Sequence, residues 1–279
     1  MWEYLRGEIM SNTHSNVAKS SESAPILIVV LVGIAAGFLS GMFGVGGGIL
    51  IVPGLVLVAK MDQRIAHGTS LAAVLPISAA SLVSYWSHDH VDVRVGLCLA
   101  AGALVGAVLG TKLLNILPHR VLAIAFAGIL LVTAIRLFLP IESGIRGVLT
   151  IGNIVALIAI GVATGILAGL LGVGGGIIMV PAMMMLLQLP AALAKGTSVL
   201  VIIPTSLMGT YRNRTKKNVD LRAAATVGLS GIPSAIVGGW ISSRMSDTVS
   251  NVLFASLLVV VATRLVLQIR SDDKAGIVH

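Results

Sequence analysis

Residues Gly41–Pro53 read GMFGVGGGILIVP, and Gly169–Pro181 read GLLGVGGGIIMVP. The copies lie 128 positions apart and differ only at Met42/Leu170, Phe43/Leu171, Leu50/Ile178 and Ile51/Met179. Each sets glycines inside an otherwise apolar run, where each glycine weakens a helix by about 1 kcal/mol relative to alanine. The pattern predicts a break in the helix. In a bilayer a break bares backbone N–H and C=O groups, which are tolerated only where protein or an aqueous cavity satisfies them. Two copies of one broken segment predict a single site between two halves.

The surrounding chain has the solvent preference of a membrane protein. Of its 279 residues 56% are hydrophobic and 11% charged, against about 25% charged in a soluble domain. Apolar stretches able to span a core of roughly 30 Å recur from Pro25 to Ile269. The net charge of +8 sits in loops between these stretches, as a topology signal does, so nucleic acid is not an expected partner. Cys98 is the only cysteine and permits no internal disulfide. The fold class is therefore all-α: a polytopic membrane protein of two homologous repeats, with about eight to ten transmembrane segments and glycine-broken helices.

Five apolar segments fit each half: 25–41, 48–60, 68–86, 93–114 and 120–139, then 147–169, 176–188, 196–211, 221–242 and 249–269. Residues 1–24 are expected to form a polar tail, 25–140 the first repeat, 141–146 a linker, 147–270 the second repeat and 271–279 a polar C-terminal tail. The first apolar core follows more than twenty residues and runs into the glycine motif, unlike a cleavable signal. The offset of 128 persists beyond the glycines. Gly33 and Gly37 match Gly161 and Gly165, Gly68-Thr69-Ser70 matches Gly196-Thr197-Ser198, Pro76 and Ser78 match Pro204 and Ser206, and Asp92 matches Asp220. Gly102, Gly106 and Gly110 make two overlapping GxxxG units that suit close helix packing, within the chain or between subunits.

Matching loops differ in charge. SHDHVD (87–92) has no Lys or Arg, whereas its counterpart RNRTKKNVD (212–220) has four. If Lys and Arg collect in the cytoplasm, the matching loops lie on opposite sides, which requires an odd number of crossings per repeat. Inverted five-segment units with both termini cytoplasmic meet that requirement. The second segment of each half is short; if it re-enters without crossing, each unit has four spans and the halves become parallel.

Little in the chain suggests bond-making chemistry. GVGGG lacks the Lys-Ser/Thr pair of a phosphate loop and the soluble strand and acidic residue of a dinucleotide site. HExxH, GxSxG and paired carboxylates are also missing, so neither an enzyme nor a cofactor nor a metal site is expected. A helix starting inside the membrane, however, presents free N–H groups to an anion. The candidate binding residues are Gly44, Gly46, Gly47 and Gly48 with Gly172, Gly174, Gly175 and Gly176. Thr69, Ser70, Thr197 and Ser198 either cap helix starts or donate to a bound oxyanion. His67 and Lys195 occupy matching positions and are candidates for charge attraction or proton coupling, set against an ordinary solvated place at the interface. Asp92 and Asp220 fit a helix-end pattern, and no membrane-embedded carboxylate is evident. That favours an anionic substrate, uniport, or coupling through His or backbone.

With the paired glycine motifs, GTS stretches and Val-Asp loops, the sequence resembles the sulfite exporter TauE/SafE family of membrane permeases from Pro25 to Ile269, the N-terminal tail excluded. The resemblance implies a multi-pass inner-membrane permease moving small anions, often sulfur oxyanions such as sulfite or organosulfonates, by alternating access as one repeat rocks against the other. The expected partners are the anion and the bilayer, with homo-oligomerisation left open. The alternative is a non-transporting membrane scaffold or assembly factor.

The topology can be tested directly. In a Cys98→Ser background, Asp89→Cys and Lys217→Cys should react with an impermeant thiol reagent from opposite sides of the membrane. Reaction of both from one side refutes the inverted arrangement.

Overall fold

The computed structural model describes residues 26–113, 119–138 and 150–274. The tail 1–24, the linker 141–146 and residues 275–279 lie outside the described residues. Helices α1 (Ile26–Phe43), α2 (Gly48–Leu57), α3 (Gln63–Trp86), α4 (Val93–Leu113) and α5 (His119–Phe138) form the first repeat. Their counterparts are α6 (Ile151–Leu171), α7 (Gly176–Leu186), α8 (Ala191–Thr215), α9 (Leu221–Arg244) and α10 (Asp247–Lys274). Among the described residues all regular secondary structure is helical, and seven helices are long and apolar enough to cross a membrane.

The helices break where the glycines predict. Gly44, Gly46 and Gly47 have φ of 67°, 78° and 74°, and Gly172, Gly174 and Gly175 have 67°, 86° and 80°. Side chains with a Cβ avoid that left-handed region. Beyond each break the short helix starts directly on the next glycine, Gly48 or Gly176. The long helices α3 and α8 begin five residues earlier than the apolar pattern suggested. Asp62 caps α3 by accepting from the amides of Arg64 and Ile65, so the polar QRIAH stretch is already helical. At the other end of the chain α10 runs through to Lys274, past the expected start of the C-terminal tail.

The contacts show the inverted arrangement. The start of α3 meets the end of α8: a Cβ on Gly68 would lie 2.0 Å from the Asn218 carbonyl oxygen, and the Asp220 amide donates to Thr69 Oγ1 at 2.9 Å. The start of α8 meets the end of α3 in the same way. A Cβ on Gly196 would lie 2.0 Å from the His90 carbonyl oxygen, and the Asp92 amide donates to Thr197 Oγ1 at 2.9 Å. Equivalent helices of the two repeats therefore run antiparallel. The short α2 has about 15 Å of helix, yet it returns the chain to the face from which α1 set out, since Met61 and Asp62 share a groove with Lys217, Asp220 and Arg222. That removes the four-span, parallel alternative.

The two repeats are also interlocked. The fourth helix of each packs along the first helix of the other: α9 lies parallel to α1, and α4 parallel to α6. A Cβ on Gly37 would sit 2.1 Å from the Gly231 carbonyl oxygen, and one on Gly106 would sit 2.1 Å from that of Val162. The GxxxG glycines of α4 thus serve packing within the chain. Helices α3 and α8 cross at the centre, are the most buried of the long helices, and each also packs against the other repeat's fourth helix. Helices α5 and α10 pair with one another.

Two glycine replacements separate close packing from mere helix content. Gly106→Ala drives a methyl into the Val162 carbonyl and should destabilise the fold by about 1–3 kcal/mol, as overpacking does. Gly128→Ala, on α5 with nothing within 4 Å of the added carbon, should leave the melting temperature in detergent unchanged or slightly raised.

Candidate functional site

The two glycine breaks meet in the interior, backbone against backbone. A Cβ on Gly48 would lie 2.5 Å from the Gly172 carbonyl oxygen and 2.6 Å from Val173 Cα. One on Gly176 would lie 2.5 Å from the Gly44 carbonyl oxygen and 2.7 Å from Val45 Cα. No larger residue fits either contact. All of Gly44 to Gly48 and Gly172 to Gly176 is buried. The first intrahelical bonds of α2 run from Leu50 and Ile51 to the Gly47 carbonyl, and those of α7 from Ile178 and Met179 to that of Gly175. The amides ahead of them belong to helix starts set in the middle of the molecule, and such amides have no intrahelical acceptor.

Each break is held by the opposite repeat. Ser198 Oγ donates to the Gly44 carbonyl at 2.6 Å, and Ser70 Oγ donates to the Gly172 carbonyl at 2.8 Å. Gly44 packs on the backbone of Lys195, and Gly172 packs on that of His67. The threonines beside these serines make a second pair of contacts across the repeats: Thr69 accepts from the Asp220 amide and Thr197 from the Asp92 amide. Those aspartates cap α9 and α4 through their Oδ1 atoms. The GTS hydroxyls therefore do not cap their own helices. They join one repeat to the other.

Lys195 and His67 are not solvated at an interface. Lys195 is 2% exposed and His67 6%. Lys195 Nζ donates to Ser242 Oγ at 2.9 Å and to Ser250 Oγ, and it stands 5.7 Å from the centre of the Phe43 ring, which stacks on Phe254. Tyr85 Oη donates to the Gly41 carbonyl at 2.6 Å and lies 3.2 Å from Ser242 Oγ. This buried ammonium is thus ligated by neutral hydroxyls and an aromatic face. The other half lacks the same set, because position 213 holds Asn where its partner is Tyr85, and Leu114 and Leu122 stand at the positions matching Ser242 and Ser250. Pairing by repeat could not have found Tyr85, Ser242 or Ser250, since they have no matching residue. The one hint for Tyr85 is its place on the helical face that also carries Ser78 and Ser81.

The pattern described as Sulfite exporter TauE/SafE matches residues 5–140 and 157–277. The chain belongs to this family. The match starts at residue 5, so the family likeness extends beyond Pro25–Ile269 and takes in most of the polar N-terminal stretch. Relatives of this TauE/SafE protein include two proteins of Bacillus subtilis (strain 168), the probable membrane transporter proteins YunE and YdhB. They are 27% and 28% identical, covering 79% and 80% of this chain and 88% and 93% of their own lengths. The probable membrane transporter protein MJ0441 of Methanocaldococcus jannaschii is 27% identical over 84% of this chain and 92% of its own. No solved structure matches. The TauE/SafE chain is accordingly a multi-pass membrane transporter. Among its described residues no group of three or more His, Cys, Asp or Glu could hold a metal ion.

The cross-repeat serines can be tested as structural ties. Ser70→Ala and Ser198→Ala each leave a buried glycine carbonyl without its donor, which costs about 1–3 kcal/mol. Both variants should melt below the parent in detergent, and an unchanged melting temperature would deny the hydroxyls this role.

Proposed function

We propose that the protein is an inner-membrane permease for small anions, sulfur-containing oxyanions such as sulfite or organosulfonates, working by alternating access. The observation that carries this reading is the pair of helix starts, Gly48 and Gly176, buried beside one another's glycine loops at the centre of an inverted repeat. A helix N-terminus carries a partial positive charge and free amides, and a bare glycine lets an anion approach them. Lys195, ligated by hydroxyls, places a cation one turn away from Ser198 and the first loop. Thr69 and Thr197, whose oxygens accept from backbone amides, each keep a hydroxyl proton to donate.

The interlocked helices change which bodies would move. The sequence repeats cannot rock as blocks, because α9 is bound along α1 and α4 along α6. The bodies that preserve these contacts are α1, α2, α3 and α9 on one side and α6, α7, α8 and α4 on the other. They meet at the α3 and α8 crossing and at the two breaks, which is where an anion would be exposed to one side and then the other. The face bearing Arg212, Arg214, Lys216 and Lys217 would be cytoplasmic, with the start of α1 and the end of α10 on the same side.

Flux tests this reading. Proteoliposomes holding the parental chain should move sulfite or an organosulfonate such as sulfoacetate. Gly46→Ala and Gly174→Ala should insert normally yet lose most of that flux. An added methyl at Gly46 would require φ of +78° from a residue with a Cβ and lie 3.2 Å from both Ile202 Cγ2 and Val74 Cγ1. A well-folded parent that moves neither anion would instead favour the scaffold alternative, and parental flux in both variants would remove the breaks from the site.

A further inference from the structure

The central helices carry hydroxyls that make no hydrogen bond within the fold. On α3, Ser70, Val74, Ser78, Ser81 and Tyr85 fall on one face, since residues four, seven and eight apart share a side of a helix. Ser70 reaches Gly172, Val74 lies beside Gly46, Ser81 stands 3.4 Å from Ser40, and Tyr85 reaches Gly41. That face therefore looks onto the two breaks and α1. Ser78 sits within it, 0% exposed, and its hydroxyl has no hydrogen-bond partner.

The same is found 128 positions on. Along α8, Ser198 reaches Gly44, and Ile202 Cγ2 lies 3.2 Å from a Cβ on Gly46 and 3.3 Å from one on Gly174. One turn beyond Ile202 is Ser206, also 0% exposed and also unpartnered. Thr210, a further turn along, has an unpartnered hydroxyl too. A buried hydroxyl without a partner destabilises the fold relative to an apolar group of the same shape. For packing alone, alanine would serve better at both positions, yet both carry serine.

Their placement suggests an occupant. Val74 and Ile202 meet at Gly46 and close the middle of the α3 and α8 crossing. Because these helices run antiparallel, Ser78 lies on the Lys195 side of that closure and Ser206 on the His67 side. We propose that Ser78 and Ser206 are paired hydroxyl donors for the transported oxyanion, one on each side of the Val74 and Ile202 closure, between which the anion passes when the closure opens. This assignment rests on the anion-permease reading. It adds a binding role for two serines outside the GTS stretches, whose own serines are spent on holding the breaks.

Stability and transport separate this role from a structural one. The full chain is reconstituted with sulfite as the probe anion, and each variant is also melted in detergent. Ser78→Ala and Ser206→Ala should melt at or above the parental temperature, because each removes an unsatisfied group. Each should raise the Km for sulfite about ten-fold or more, the size expected when one hydrogen bond to a charged group is lost. A parental Km in both variants, with an active parent, overturns the assignment and leaves the permease reading standing. Lowered melting temperatures like those expected of Ser70→Ala and Ser198→Ala would show structural hydroxyls and overturn it as well. So would a change confined to sodium dependence, which marks a cation site. A folded parent that moves no sulfite, sulfoacetate or sulfate removes the permease reading and this assignment together.

Discussion

Everything in this structure depends on how two four-residue stretches of non-helical backbone, 44–47 and 172–175, are accommodated inside a bilayer. Hydrocarbon offers no hydrogen bonds, so the carbonyls and amides released by a helix break need partners from protein. Here each repeat supplies them to the other: Ser198 to Gly44, and Ser70 to Gly172. The exchange is reciprocal because the repeats are related by an approximate two-fold axis. Each break keeps some of its bonds within its own repeat and receives a serine donor for one carbonyl from the other.

The close helix contacts answer a second constraint. Between helices in lipid there is no hydrophobic drive, so association relies on van der Waals contact and on backbones approaching closely. Glycine rows on α1, α4, α6 and α9 provide that approach, and carbonyl oxygens of the partner helix occupy the space where side chains would stand. Since these rows pair α1 with α9 and α4 with α6, they also decide which helices must move together. The α3 and α8 crossing carries fewer such backbone contacts and more side-chain ones. Val74 and Ile202 meet the breaks there, and side chains can separate and re-form more readily than two fitted backbones.

The symmetry is incomplete where charge is concerned. Lys195 and His67 hold matching places against the opposite glycine loop, but only Lys195 has Ser242, Ser250 and the Phe43 ring around its charged end. A buried ammonium needs hydrogen-bond acceptors to offset desolvation. Two hydroxyls supply them, with an aromatic face alongside. Duplicated scaffolding thus frames two halves of different electrostatic character.

The sequence by itself determined the class, the duplication and the breaks; it pointed to the inverted order but left a parallel one open until the α3 and α8 contacts decided it. Composition names the solvent, a shared offset of 128 reveals the repeat, glycine clusters mark where a helix cannot continue, and loop charge orients the halves; each is a local property of the chain. The candidate glycines and the GTS residues do converge at one place, and their symmetric recurrence had pointed there. Which hydroxyls serve structure and which stay free was decided by tertiary structure alone. Ser70 and Ser78 are both serines on one face of one helix, and only the position of Gly172, more than ninety residues away in sequence, sets them apart. The exchange of α4 and α9 between repeats was likewise invisible, because a glycine row specifies close packing without naming its partner. Tyr85, Ser242 and Ser250 lie on three different helices and meet at Lys195 only through that packing.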